Sequence, residues 1–261
     1  MSSSRYGKDW SHEEHLIAFN LYCKLPFGKL DHNTPEIIEL SKLLGRTPDS
    51  LSMKLCNFAR LDPSLQARGI KGLSQGAKGE NEIWELFSKN PEKLAFESAQ
   101  LMAKLENKPL LVPTEDYDDI NFPEGPEKEL FLKVRVNQRF FRDRILSIFD
   151  NTCCVTGIKV PSLLVASHIV PWSESVENRL NPRNGLCLNA LHDRAFDRNL
   201  MWLDESFQIH FSSKLKPMIT EEQSLGWLTS FEGKTINLPN KIEPDPILLK
   251  EHEKTCRLKN L

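Results

Sequence analysis

The 261-residue chain has no Cys-x-x-Cys pair, although it holds six cysteines: Cys23, Cys56, Cys153, Cys154, Cys187 and Cys256. Neither a zinc ribbon nor a disulfide framework is therefore expected, and buried thiols in a reducing compartment are the simpler reading. No apolar run approaches the roughly 18 residues that would cross a bilayer. The opening "MSSSRYGKDW" has no apolar stretch of the signal-peptide kind, so a cytoplasmic location is expected. No internal repeat is visible. A hydrophobic share of 39% with 27% charged residues is ordinary for a globular protein.

Charge is nearly balanced overall, at −2, but it is unevenly placed. Residues 41–78 hold seven Lys/Arg against two Asp, and residues 80–127 hold four Lys against twelve acids. Residues 128–200 return to excess positive charge, eleven basic groups against seven acidic. Two basic segments around an acidic one suit either solvated faces or two phosphate-facing surfaces.

The first hundred residues read as helical. In "SHEEHLIAFNLYCKL" Ser11 is an N-cap with Glu14 three residues on, the spacing of a capping box. "TPEIIELSKLLG" opens on Thr34-Pro35 and stops at Gly45, and "TPDSLSMKLCNFARLDP" opens on Thr47-Pro48 and closes at Asp62-Pro63. Two short helices joined at Gly45-Arg46 have the order of a helix-turn-helix, in which Lys54 and Asn57 would face nucleic acid. A plain three-helix bundle is the competing reading. A further helix is expected from about Glu80. The proline-bearing acidic stretch at 110–126 reads as a linker between a helical module at 1–109 and a second domain at 127–261.

In that second domain "KELFLKVRVNQRFFRDRILSIFD" is a periodic basic helix. "CCVTGIKVPSLLVASHIVPW" then gives two short β-type runs about Thr156-Gly157, and "GLCLNALHDRAFDRNL" is an apolar run that becomes a helix. "MWLDESFQIHFSS" alternates as strands around a turn near Asp204. The order is strand, histidine, polar loop, asparagine, helix with carboxylates. Hydrolysis of a phosphodiester calls for a base, for which a neutral imidazole serves near pH 7, and for a hard cation held by oxygen ligands.

The residues "SHIVPW", "RLNPRNGL" and "HDRAFDR" resemble the HNH endonuclease family, whose fold is the ββα-metal motif. More narrowly they resemble a subgroup reading Ser-His-Ile-x-Pro-Trp, Asn-Gly-Leu and His-Asp-x-x-Phe-Asp-Arg. The resemblance implies an α+β protein with a helical N-terminal module and a C-terminal ββα-metal nuclease domain. It implies a metal-dependent DNA endonuclease in a bacterial restriction or defence setting. His168 takes the family's general-base position, and Asn184 the middle position that holds the loop. The metal ligand usually stands nine residues after that asparagine, which is Asp193; His192 lies eight after and is a close second, as co-ligand or phosphate contact. Asp197 is one helical turn beyond Asp193 and either shares the cation or binds locally. Ser167 stands where the wider family often has an aspartate ligand, so the helix carboxylates, a backbone carbonyl or water must complete the coordination. Many members carry zinc knuckles; here Cys154 and Cys187 fall near those positions without partners, so Mg²⁺ or Mn²⁺ and no structural zinc is expected. Arg179, Arg183, Arg194 and Arg198 surround the centre as phosphate contacts. One such site cuts one strand, so a double-strand break calls for a homodimer or two binding events. DNA and RNA share the phosphate chemistry and the sequence does not separate them. The alternative is a non-catalytic DNA-binding or regulatory protein that keeps a degenerate HNH fold.

Overall fold

The computed structural model describes residues 7–70, 78–110, 125–218, 222–239 and 242–260. Backbone contacts divide the chain into two compact units, Met1–Phe140 and Phe141–Leu261, the division falling inside one long helix.

The first unit is all helical, with α1 His12–Lys24, α2 Pro35–Leu44, α3 Pro48–Ala59, α4 Pro63–Ala67, α5 Lys78–Phe87 and α6 Pro91–Leu105. Local chemistry sets most of these starts. The Ser11 hydroxyl accepts from the Glu14 amide at 3.2 Å while Glu14 Oε2 accepts from the Ser11 amide at 2.8 Å, the reciprocal capping box. Thr47, Asp62 and Asn90 cap α3, α4 and α6, each with proline in the first turn. Helix α1 packs against α3, α5 and α6. Phe19, Phe58 and Trp84 meet at its centre, with Phe19 4.9 Å from Phe58 and 5.3 Å from Trp84. Helix α5 begins at Lys78, two residues earlier than expected, and α6 was not foreseen.

The expected linker lies almost wholly outside the described residues. Beyond it runs α7, Pro126–Ile148. The second unit takes the C-terminal turns of α7, then β1 Leu164–His168, β2 Gly185–Asn189, α8 Ala190–Asp197, β3 Met201–Leu203 and β4 Ile209–Phe211. Three helices follow: α9 Leu215–Met218, α10 Glu222–Thr229 and α11 Pro246–Lys259. The fold is α+β. Strands β1 and β2 pair antiparallel with Leu164 opposite Asn189 and His168 opposite Gly185; β3 and β4 form a second antiparallel pair. Helix α8 packs on β1, β2 and β3, and α11 on β3.

All five residues of β2 are buried. A strand covered on both faces reads as a continuous apolar run instead of an alternating one, which is why "GLCL" shows no period of two. Its first residue has to be glycine. A Cβ at Gly185 would lie 2.3 Å from Ile145 Cδ1 and 2.9 Å from Phe141 Cζ, so α7 rests directly on the strand backbone. The expected strand at Cys153–Val155 is not one. This segment is a turn whose ends are tied by Cys153 N–H to Ile158 O at 2.8 Å and Gly157 N–H to Cys153 O at 2.9 Å. Among the described residues no helix is long and apolar enough to cross a membrane.

Candidate active site

His168 ends β1, and three neighbours fix its ring. Phe141 from α7 stacks on it at 3.8 Å between centroids, and Trp172 meets it edge-on at 5.7 Å. The third contact settles the tautomer: Nε2 lies 3.0 Å from the carbonyl oxygen of Arg179. A carbonyl only accepts, so Nε2 carries the hydrogen and Nδ1 keeps its lone pair. Burial pushes the imidazole pKa below its usual 6.5, against a smaller upward pull from that carbonyl. The ring is therefore neutral at pH 7, as a base must be.

The loop that supplies Arg179 is held by Asn184, which is fully buried. Its Nδ2 donates to Val170 O and to Asn178 O, both at 3.0 Å, and its Oδ1 accepts from Val170 N–H at 2.8 Å. One carboxamide thus joins both ends of the segment between the histidine and the asparagine. Arg179 helps to close it: Nε donates to Trp172 O at 3.0 Å, and the guanidinium lies 5.3 Å from the Trp172 ring centre. Arg179 is thereby a loop clasp, half-buried and engaged with protein. Arg183 is exposed and pairs with Asp245 at 3.4 Å, while Arg194 and Arg198 are exposed on and just past α8.

Asp193 and Asp197 sit one turn apart on α8. Burial raises the Asp193 carboxyl to about 6, with a further rise from Asp197. Ser167, buried on β1, acts in the opposite direction on that carboxyl, although its hydroxyl meets hydrogen-bond geometry with no neighbour. Asp197 is also raised by burial, eased by Arg194 and Arg198. The two carboxylates thus keep an unrelieved cost of being charged, which a cation would remove. Among the described residues no group of three or more His, Cys, Asp or Glu side chains is placed to hold a metal. Two carboxylates fit a cation that retains most of its water, as Mg²⁺ does, and do not fit one needing a full protein cage.

His192 has no such freedom. It is fully buried, its Nε2–H donates to Leu228 O at 3.2 Å, and its Nδ1 accepts from Asn189 Nδ2 at 2.9 Å. Both ring nitrogens are spent on protein, which corrects its expected role as a co-ligand or phosphate contact. It belongs to a knot that the sequence reading missed. Cys153 Sγ accepts from the Asn189 backbone N–H at 3.2 Å and the Thr156 N–H at 3.4 Å, and Asn189 Nδ2 reaches Thr156 Oγ1 at 3.2 Å. The signal was present as two i, i+3 pairs, Cys153/Thr156 and Asn189/His192, the spacing of paired metal-binding positions. Here the four close on one another by hydrogen bonds.

Lys54 and Asn57 also turn out differently from expectation. Both face the interior of the first unit, where Lys54 Nζ and Asn57 Nδ2 donate to Glu80 Oε1. The polar atoms of α3 expected to read DNA are thus used internally, and the α2–α3 pair presents Met53 and Asp49 outward.

Beside the proposed base lies a cavity of about 400 Å³ lined by His168, Asp197 and Glu174 and closed by Glu251, Thr255 and Lys259 of α11. Helix α11 thus forms one wall of this cavity. Phe196 is buried and stacks on His252 at 3.9 Å.

Comparison with known families agrees with this geometry over the segment that carries it. Residues 153–204 match the family described as HNH endonuclease, a span holding both strands of the first hairpin, α8 and β3. The match is confined to that segment, and a likeness to nucleases is what it supports. No curated protein matches the chain.

Proposed function

We propose that the second unit is a divalent-metal-dependent endonuclease hydrolysing DNA phosphodiesters, with His168 as general base. One observation carries the reading: His168 is a neutral imidazole whose Nε2–H is committed to Arg179 O, with Asp197 on the wall of the same cavity. Nδ1 of His168 takes the proton from the attacking water. Asn184 and Arg179 hold the ring's partner carbonyl in place, and Phe141 sets the ring plane. Asp193 and Asp197 hold the cation, with Ser167 beside them. When bound, Mg²⁺ or Mn²⁺ supplies charge stabilisation at the phosphate and leaving oxygens. Arg194 and Arg198, exposed on and just past α8, would meet flanking phosphates. The subgroup motif is consistent with a restriction or defence role against foreign DNA, and two copies would cut both strands.

Plasmid DNA incubated with the chain and Mg²⁺, with and without EDTA and beside His168→Ala, tests the proposal. Nicking or linearisation by wild type with Mg²⁺ alone is expected. A plasmid left intact by wild type and variant, yet retarded by both on a gel, would overturn it and leave a non-catalytic DNA-binding protein.

A further inference from the structure

The first unit contains more buried charge than a small helical bundle needs. Arg46 and Glu14 pair at 2.8 Å, with side chains only 4% and 5% exposed, and Lys54 pairs with a fully buried Glu80. Buried ion pairs seldom repay their desolvation in stability, so their placement asks for another reason. Both cations converge on one ring. The Arg46 guanidinium lies 4.9 Å from the centre of Trp10 and Lys54 Nζ lies 5.1 Å from it. Arg46 also donates to the carbonyl oxygens of Lys8 and Asp9, at 2.6 and 2.7 Å, fixing the backbone that leads into Trp10.

Trp10, Lys54 and His15 line a cavity of about 390 Å³. That is within the size range of small-ligand sites, roughly 300–1,000 Å³. His15 is 5% exposed and its Nε2 is buried without a partner among the described residues. Its Nδ1 lies 2.8 Å from Ser11 O, which only accepts, so Nδ1 carries the hydrogen and Nε2 is a bare acceptor. An orphaned buried acceptor is destabilising unless a donor arrives. Gly79 brings its backbone close against that ring: a Cβ there would stand 2.6 Å from His15 Cε1 and 2.8 Å from Nε2. The rim adds Lys8 and Lys78 against Asp9 and Glu82, with Lys78 Nζ 4.0 Å from Glu82 on the exposed face of α5.

A ligand for this cavity brings an N–H or O–H donor to a buried acceptor, a flat body to an indole, and negative charge to a lysine rim. We propose that the cavity binds one nucleotide unit, with a base N–H donated to His15 Nε2, the base against Trp10 and the phosphate at Lys8 and Lys78. The unit is either a free nucleotide or one residue of a DNA strand. This site lies wholly in the first unit and does not depend on the catalytic reading of the second.

Isothermal titration of the full chain in EDTA, with dAMP, hexadeoxyadenylate and inorganic phosphate, tests it. Saturable one-to-one binding is expected for at least one of the two nucleotide probes, and weaker or no binding for phosphate. Tighter binding of the hexamer points to a strand, and equal or tighter binding of dAMP to a free nucleotide. His15→Phe keeps a ring but removes the acceptor and should weaken binding about 3- to 10-fold. Trp10→Leu should weaken it about 10-fold or more through lost stacking. If His15→Phe does not fold, Trp10→Leu and the Lys8→Glu/Lys78→Glu double variant decide. The proposal fails if neither nucleotide probe binds, if phosphate binds as tightly as dAMP, or if the folded variants bind like wild type.

Discussion

The imidazole of His168 and the carbonyl of Arg179, eleven residues apart in the chain, meet at 3.0 Å, and that bond decides which ring nitrogen is free to act. Because burial lowers the pKa of His168 below 6.5, the neutral form persists to lower pH than for a solvent-exposed histidine. With Mg²⁺ saturating, cleavage should be level around pH 7 and fall on acidification, with its midpoint below 6.5. A pH–rate profile from 5 to 8 measures this; a limb centred above 7 contradicts His168 as the base.

Asp193 should behave as a strained group. Its folded pKa of about 6 exceeds the ordinary 3.8, so the native state favours the protonated carboxyl. The contribution to stability is thus most favourable below about pH 4 and is lost as pH rises through 6. At pH 7 in EDTA, Asp193→Asn should therefore melt at a higher temperature than wild type while abolishing cleavage. Mg²⁺ should raise the melting temperature of wild type and leave the variant unchanged. Calorimetry in both buffers checks this, and a lower melting temperature for the variant in EDTA sinks it.

His252 has the opposite sign. Burial depresses its pKa to about 4, so the neutral ring contributes stability above pH 6.5 that is lost as pH falls towards 4. The loss across that window is on the order of 3 kcal/mol. His252→Phe retains a ring against Phe196 and should flatten the dependence, as urea unfolding at pH 4.5 and 7.5 would report. An unchanged slope in the variant would place the acid sensitivity elsewhere.

Gly185 should tolerate no side chain. Gly185→Ala drives a methyl group into Ile145 and Phe141 and should cost about 1–3 kcal/mol by overpacking. Ile145→Val removes Cδ1, the nearest atom, so the double variant should recover part of that loss. Additive losses in a double-mutant cycle would show that the contact at Ile145 is not the cause.

Asn184→Ala removes three hydrogen bonds and leaves Val170 N–H, Val170 O and Asn178 O without their partner. Stability should fall by roughly 2–4 kcal/mol. Cleavage should fall further than stability accounts for, because the loop carrying the Arg179 carbonyl loosens. Activity measured well below the variant's melting temperature separates the two; wild-type turnover there would relieve Asn184 of its positioning role.

Much of this was legible in the sequence where the cause is local. Ser11 and Thr47 cap the helices that their neighbours announce, because a capping bond closes within three residues. Helix α8 and the β3–β4 pair were also visible, since period and turn residues are short-range, whereas Asp62, read as closing α3, caps α4, and β1 pairs with β2 and not across Thr156-Gly157. His168 and the two α8 aspartates were singled out by the family resemblance and its spacing. What stayed hidden depends on contacts across many residues. Nothing in "SLSMKLCNF" says that Lys54 and Asn57 point to Glu80 and not to solvent. Nothing about Phe141 says that it stacks on His168, since the helix stripe containing it reads only as core. His192 looked available because its partners, Asn189 and the carbonyl of Leu228, close around it only after the chain has folded back through α10.

Helix α11 lies past residue 204, beyond the segment that matches the HNH endonuclease family, yet its Glu251, Thr255 and Lys259 form one side of the cleft beside His168. The proposed base and one wall of its cleft are therefore encoded in separate stretches of the sequence. Exchanging the tail would redraw the shape and charge of the opening without altering a single letter of the matched segment.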